Sequence, residues 1–234
     1  MKKALIMMCL AALTVGMLSG CKNKNAKTTD AENRTAESEW VDLGLPSGLL
    51  WACCNLGASS PEKCGEYYAW GETMPKNEYS LTTYSYYNHE NGIYTLNKYN
   101  TQQAKGLVDS LTVLESADDA ATALLGDGAR LPTNAEWQEL IDNTSAEWTR
   151  QKGVRGYLLT AANGNSLFLP ATGFWYDDSS TDSDKIGNYW SSSLDLLMPN
   201  TAHELNFGST GLRTGGCERY YGFSIRPVKE HKIK

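Results

Sequence analysis

The chain has 234 residues, with 21 Lys and Arg against 27 Asp and Glu, a formal charge of −6. An acidic chain with no basic cluster is excluded as a nucleic-acid binder, because phosphate binding runs on Lys and Arg displacing counterions. The same balance gives it no electrostatic draw toward an anionic lipid surface.

Lys2 and Lys3 precede an uncharged apolar run from Ala4 to Met17, closed by Leu18-Ser19-Gly20-Cys21. That run falls short of the roughly 20 residues that span a bilayer, so residues 1–20 are expected to be a signal peptide rather than a transmembrane helix. The Leu-Ser-Gly-Cys ending resembles a lipobox, in which the cysteine is acylated and becomes the first mature residue. Membrane attachment through lipid on Cys21 is therefore expected, and the several acyl chains such processing adds satisfy the need for more than one. Loss of residues 1–20 would remove two lysines and bring the formal charge to −8. Lys22 stands where a retention aspartate would otherwise follow, which favours the outer membrane and leaves surface and periplasmic faces both open.

Residues 21–39 are expected to form a lipidated, disordered tether. From 22 to 39 there is no aromatic residue and no apolar residue beyond alanine, too little to offset the entropy of ordering. A flexible chain of that length spans roughly 20–25 Å. A single domain is expected over 40–228, followed by a charged tail at 229–234.

The domain opens with Trp40 to Leu45, Pro46-Ser47-Gly48 and Leu49 to Cys53, which predicts a β-hairpin around a type I turn. Eight tyrosines fall within 67–99. They are expected either to pack an irregular insertion onto the domain or to form an exposed aromatic surface, where tyrosine gives contact area at low entropic cost. A first helix is predicted from Ser116, with Asp119 three residues on, through Ala120 to Leu125, ending at Gly126. A second is predicted from Thr133, where Glu136 completes a capping box and Trp137, Leu140 and Ile141 make one apolar face. Strands are predicted at Val154–Ala162 and Ser166–Ala171 about a turn at Asn163-Gly164-Asn165. Further strands are predicted at Tyr189–Ser193, Ala202–Phe207 and Tyr221–Val228, with long polar loops at 172–188 and 208–219. Strand runs with two helices set apart predict an α+β fold.

Once Cys9 leaves with the leader and Cys21 is acylated, Cys53, Cys54, Cys64 and Cys217 remain, an even set suited to disulfides in an oxidising space. Neighbours on a strand face opposite sides, so a Cys53–Cys54 bridge is the least expected pairing. A bridge from one of the first three to Cys217 would tie the start of the domain to its end. Without a Cys-x-x-Cys spacing, and with three histidines in the chain, no zinc site is expected.

Arg130-Leu-Pro-Thr-Asn-Ala-Glu-Trp137 resembles a signature shared by the formylglycine-generating (sulfatase-modifying) enzymes and their relatives of C-type-lectin-like fold. Tyr221-Gly-Phe-Ser-Ile-Arg226-Pro-Val228 resembles the terminal strand of that group. Closer still is the Fibrobacter succinogenes major paralogous domain family. It is matched by Val41-Asp-Leu-Gly-Leu-Pro-Ser-Gly48, Trp51-Ala-Cys-Cys54-Asn-Leu-Gly-Ala58, Tyr68-Ala-Trp-Gly-Glu-Thr73 and Tyr189-Trp-Ser-Ser-Ser193. The resemblance covers nearly all of 40–228. It implies a C-type-lectin-like α+β fold with two helices, twisted antiparallel sheets, long loops and neighbouring termini, in an exported surface lipoprotein.

The oxidase chemistry of the resembling enzymes needs two closely spaced late cysteines for copper, a soft-ligand site, and here Cys217 stands alone. Ser191 to Ser193 lack the glycines of a nucleophile elbow, and His203 within a predicted strand reads as structural. No catalytic residue is expected. The candidate ligand surface is the loop bearing Trp175, Tyr176, Asp177, Asp178, Asp182 and Asp184, where rings can stack on sugars and carboxylates can offer oxygen to calcium. Its spacing does not match a calcium loop, and Met198-Pro-Asn200 keeps half of one sugar-lectin motif. A carbohydrate or protein ligand bound without catalysis is expected, with a purely structural or adhesive role as the alternative. No cofactor is expected, calcium at this loop being the one left open.

Overall fold

Trp40–Asp42 (β1) and Leu50–Ala52 (β2) form the predicted hairpin, with Val41 opposite Trp51. The Gly48 amide donates to the Leu45 carbonyl at 2.9 Å, which closes a turn with Pro46 and Ser47 at its centre. The structure is a computed structural model describing residues 40–231. The expected signal peptide, Cys21 and the tether at 21–39 lie outside the described residues.

The tyrosine-rich segment carries a second hairpin, Tyr87–Glu90 (β3) with Ile93–Leu96 (β4). All eight of its tyrosines are buried or half-buried, which selects the packing alternative over an exposed surface. Ala120–Leu125 (α1) is shorter than predicted. Ser116 lies in a preceding turn, and Asp119 caps the helix instead. Its buried carboxylate accepts from Thr122 N at 2.9 Å and from Leu131 N at 2.8 Å, a second bond that holds it at the boundary. Asn134–Asp142 (α2) starts at the predicted capping box: Thr133 Oγ1 accepts from Glu136 N, and Glu136 Oε2 from Thr133 N. Arg130 closes a two-pronged ion pair on the same carboxylate at 2.8 and 2.6 Å. The Arg-Leu-Pro-Thr segment thus serves to start a helix whose Trp137 and Leu140 enter the core.

Thr144–Gln151 (β5), Val154–Ala161 (β6) and Ser166–Pro170 (β7) form one antiparallel sheet. Phe174–Tyr176 (β8) and Ser179–Thr181 (β9) form a hairpin, so 172–188 is not the unbroken loop predicted. Gly187–Leu194 (β10), Thr201–Gly208 (β11) and Gly211–Glu218 (β12) form a third antiparallel sheet. The predicted loop at 208–219 is therefore mostly strand. Its glycines and half-exposed positions hide the two-residue period from the sequence. Tyr221–Val228, predicted as a strand, forms no continuous ladder. Gly222, Phe223 and Ser224 bridge singly to Trp175, Tyr68 and Tyr189 in three different places. Val228–Lys229 (β13) then pairs with β2, Val228 opposite Trp51. Lys229 is thus part of the sheet rather than of the charged tail, its Nζ 4.4 Å from the centre of the Trp40 ring.

Side chains alternate across the β10–β12 sheet and so divide two cores. Tyr189, Leu205 and Phe207 join Trp51 and Trp137 on one side, whereas Trp190 and Ala202 join Trp70, Tyr99 and Phe223 on the other. Gly187 sits opposite Phe207, and a β-carbon there would lie 2.1 Å from the ring. The result is an α+β fold dominated by antiparallel sheets.

Two arginines on the final segment are fully buried. Arg226 donates to the carbonyls of Ala52 (3.1 Å), Cys53 (2.7 Å) and Phe168 (3.0 Å), and to Asn55 Oδ1 (2.9 Å). Arg219 donates to the carbonyls of Lys98 (3.1 Å), Tyr99 (3.2 Å) and Pro199 (3.0 Å), and to the Tyr84 hydroxyl (2.9 Å). Its guanidinium carbon lies 4.8 Å from the centre of the Trp70 ring, within cation–π range. The tyrosine-rich segment wraps this cation.

Candidate functional site

The predicted ligand loop separates into parts. Trp175 and Tyr176 lie on β8, Asp177 and Asp178 at the turn after it, and Asp182 and Asp184 beyond β9. Asp182 pairs with Lys185 at 3.1 Å. Asp184 accepts from Arg155 N at 2.7 Å and meets Arg150 at 3.4 Å. Asp177 exchanges backbone hydrogen bonds with Tyr79 at 2.7 and 3.0 Å. The carboxylates of Asp182 and Asp184 thus serve separate local contacts. Among the described residues, no group of three or more His, Cys, Asp or Glu side chains is placed to hold a metal ion.

What the structure does gather is a cleft on the Trp175 side. Gly65, Glu66, Tyr67, Lys76, Tyr79 and Trp175 line a cavity of about 370 Å³, inside the roughly 300–1,000 Å³ range of small-ligand sites. Trp175 is pinned on both edges of β8. Along one edge runs β9, and along the other the Trp175 backbone exchanges hydrogen bonds with Gly222 at 2.9 and 3.0 Å while the next-but-one residue pairs with Tyr79. Gly222 is required by this closeness, since a β-carbon there would lie 2.8 Å from the Tyr79 ring and 2.9 Å from Trp175 Cβ. The Trp175 ring lies 6.2 Å from Tyr67 and 6.1 Å from Tyr79, centre to centre. The tyrosine hydroxyls are already used: Tyr67 donates to the Thr172 carbonyl at 2.7 Å and Tyr79 to the Tyr67 carbonyl at 2.5 Å. Lys76 is likewise held, by Glu72 at 2.8 Å and the Thr83 carbonyl at 3.1 Å. A ligand would therefore meet the half-buried rings of Tyr67 and Trp175, backed by the buried Tyr79, with the exposed Glu66 and Asn77 at the rim.

Tyr176 belongs to a different surface. It stacks on Tyr221 at 5.1 Å, and Tyr221 on Tyr220 at 5.1 Å, in a half-exposed row beside the cleft wall. Of the cleft residues, sequence reasoning singled out Trp175. Tyr67 and Tyr79 sat in the tyrosine-rich stretch without a signal for which rings would meet β8.

The nucleophile candidates are committed elsewhere. Ser191 Oγ donates to the His203 carbonyl at 2.9 Å, and Ser193 Oγ accepts from Asn134 N at 3.1 Å. His203 Nδ1 lies 3.1 Å from the Gly215 carbonyl, a structural contact. The four domain cysteines are thiols. The expected tie from Cys217 to the domain's start is not formed, because Cys217 packs against the second core, on the strand facing Ala202. Burial pushes its thiol up to about 12, with the nearby Glu204 adding to the effect, which disfavours the reactive thiolate. Cys53 and Cys54, the pair least expected to meet, bring their sulfurs to 2.9 Å.

No protein-family model, curated protein or solved structure matches the chain.

Glu204 is the least compensated acid near this region. It lies opposite Trp190 and Gly215, buried, with no hydrogen bond to Oε2 among the described residues. Burial pushes its carboxyl from 4.5 up to about 8, with Arg213 opposing the shift. Between those values the folded chain holds a proton that the unfolded chain has released. Stability then falls as pH rises from about 4.5 to about 8, by up to about 1.4 kcal/mol per pH unit, and levels off above. Urea unfolding across this range should show that decline in the parent and its loss in Glu204→Gln. Equal pH slopes in the two proteins would refute the assignment.

Proposed function

We propose that the chain is an exported cell-envelope lipoprotein, held to the outer membrane through lipid on Cys21, whose C-type-lectin-like domain binds a carbohydrate without catalysis. The observation that carries this reading is the aromatic cleft beside Trp175. Its rings are fixed in place by hydrogen bonds and backbone pairing before any ligand arrives, so little ordering entropy opposes binding. Flat apolar rings with a few polar groups at the rim suit the face of a sugar ring and its hydroxyls. Recognition in this scheme needs no calcium, because Asp182 and Asp184 are occupied by Lys185, Arg150 and Arg155. The lectin-like assignment draws support from the two helices, the antiparallel sheets and the pairing of the last strand with the opening hairpin. The oxidase alternative loses support from the isolation and burial of Cys217.

A second, adhesive reading is favoured by one observation. Leu196, Leu197 and Met198 form an exposed apolar loop, with Leu197 84% accessible, the kind of patch that marks protein contacts.

A glycan array probed with and without calcium should give the same signals in both arms, weakened at least about tenfold by Trp175→Ala, equivalent to about 1.4 kcal/mol. Absence of any glycan signal, together with a specific protein partner in surface cross-linking, would replace the lectin reading with the adhesive one. The anchor is tested separately. Palmitate labelling of the expressed full chain should disappear in Cys21→Ser, and labelling that survives the substitution would contradict the lipid assignment.

A further inference from the structure

Cys53 and Cys54 follow β2, both half-buried, with their sulfurs 2.9 Å apart. Cys53 lines a separate cleft of about 140 Å³ with Val41, Pro61, Gln151, Leu167 and Phe168, so a small reagent can reach it from the surface. The carbonyls of the residues around the pair are already bound. Arg226 holds those of Ala52 and Cys53, and Asn55 Nδ2 and Ser224 Oγ donate to that of Cys64. The two thiols are therefore brought together by the fold and share a hydrogen bond but no covalent bond.

We propose that Cys53 and Cys54 form a redox modification site, closed to a vicinal disulfide by exchange with a small disulfide and reopened by a thiol. In the first step Cys53, having given its proton to solvent, attacks one sulfur of the incoming disulfide. A mixed disulfide forms and one thiolate departs. The Cys54 sulfur then displaces the second thiolate, which carries away the Cys54 proton. In total the two cysteines lose two protons and two electrons, and the incoming disulfide leaves as two thiols, the first taking its proton from solvent. Burial and the adjacent Cys53 push the Cys54 thiol up to about 12, which disfavours it as the first attacker; it closes the ring in the second step because its sulfur already stands 2.9 Å from that of Cys53. Adjacent α-carbons stand about 3.8 Å apart across a trans peptide, whereas disulfides usually join α-carbons about 4.4–6.8 Å apart. The closed ring is thereby strained and readily reduced, as labile regulatory disulfides are. Closure also strains the peptide whose Cys53 carbonyl Arg226 holds at 2.7 Å, so the oxidation state bears directly on the contacts of that buried guanidinium.

The purified full chain, treated with oxidised glutathione, denatured, labelled with a maleimide and cut with trypsin, tests this directly. Cleavage after Arg34 and Lys63 isolates Cys53 and Cys54 from Cys64 and Cys217. The expected peptide 35–63 is unlabelled and lacks two hydrogens, and prior reduction restores labelling at both positions. Both cysteines labelled after oxidation, a glutathione adduct that persists on either, or a link from 35–63 to the peptide bearing Cys64 would each overturn the proposal.

Discussion

A guanidinium cannot shed its charge inside a protein, so a buried arginine must be surrounded by acceptors wherever the chain can supply them. Arg226 imposes that condition on this fold. It is fully buried, and its donors reach the hairpin end at Ala52 and Cys53, the side chain of Asn55 and the carbonyl of Phe168 on β7. Residues more than a hundred positions apart are thereby required to converge on one cation. Arg219 repeats the arrangement on the other side, using carbonyls and aromatic faces of the tyrosine-rich segment. Because both arginines sit within 219–228, the end of the chain organises segments that precede it.

The candidate site inherits this order. Between the two arginines, Gly222 pairs with Trp175, Phe223 with Tyr68 and Ser224 with Tyr189. Trp175 is thus aligned by the same segment that the guanidinium groups anchor, and β9 pairs along its other edge. A cleft of rigid rings suits recognition of a preformed shape better than chemistry. The hydroxyls of Tyr67, Tyr79 and Ser191 donate to backbone carbonyls, and the buried acid Glu204 faces the second core.

The sequence disclosed those features whose causes are local. The Thr133 capping box, the Pro46 turn and the Asn163-Gly164 hairpin each depend on residues within a few positions, and each forms. Features set by distant partners were not legible. β5 carries few buried apolar residues and takes its register from β6. β12 is rich in glycine and is defined by pairing with β11. Ser116 looked like a helix cap until Leu131, a remote residue, fixed Asp119 in that role. Asp182 and Asp184 of the predicted ligand loop looked convergent because they are close in sequence, yet Lys185 holds the first while β5 and β6 hold the second. Arg226 itself left a trace, a charge set between Ile225 and Pro227-Val228, where an exposed strand would not place so apolar a surround. Its acceptors could not be named without the fold.

The dependence of the fold on Arg226 is tested most directly by urea unfolding of Arg226→Met, with the exposed Arg213→Met as control. Methionine fills similar space but leaves three carbonyls and the Asn55 amide oxygen without a donor, and each buried unsatisfied group costs about 1–3 kcal/mol. A loss of at least about 3 kcal/mol, against less than about 0.5 kcal/mol for the surface control, is the predicted result. An Arg226→Met protein as stable as the parent would contradict the account, because apolar packing would then suffice where a buried cation is said to be required.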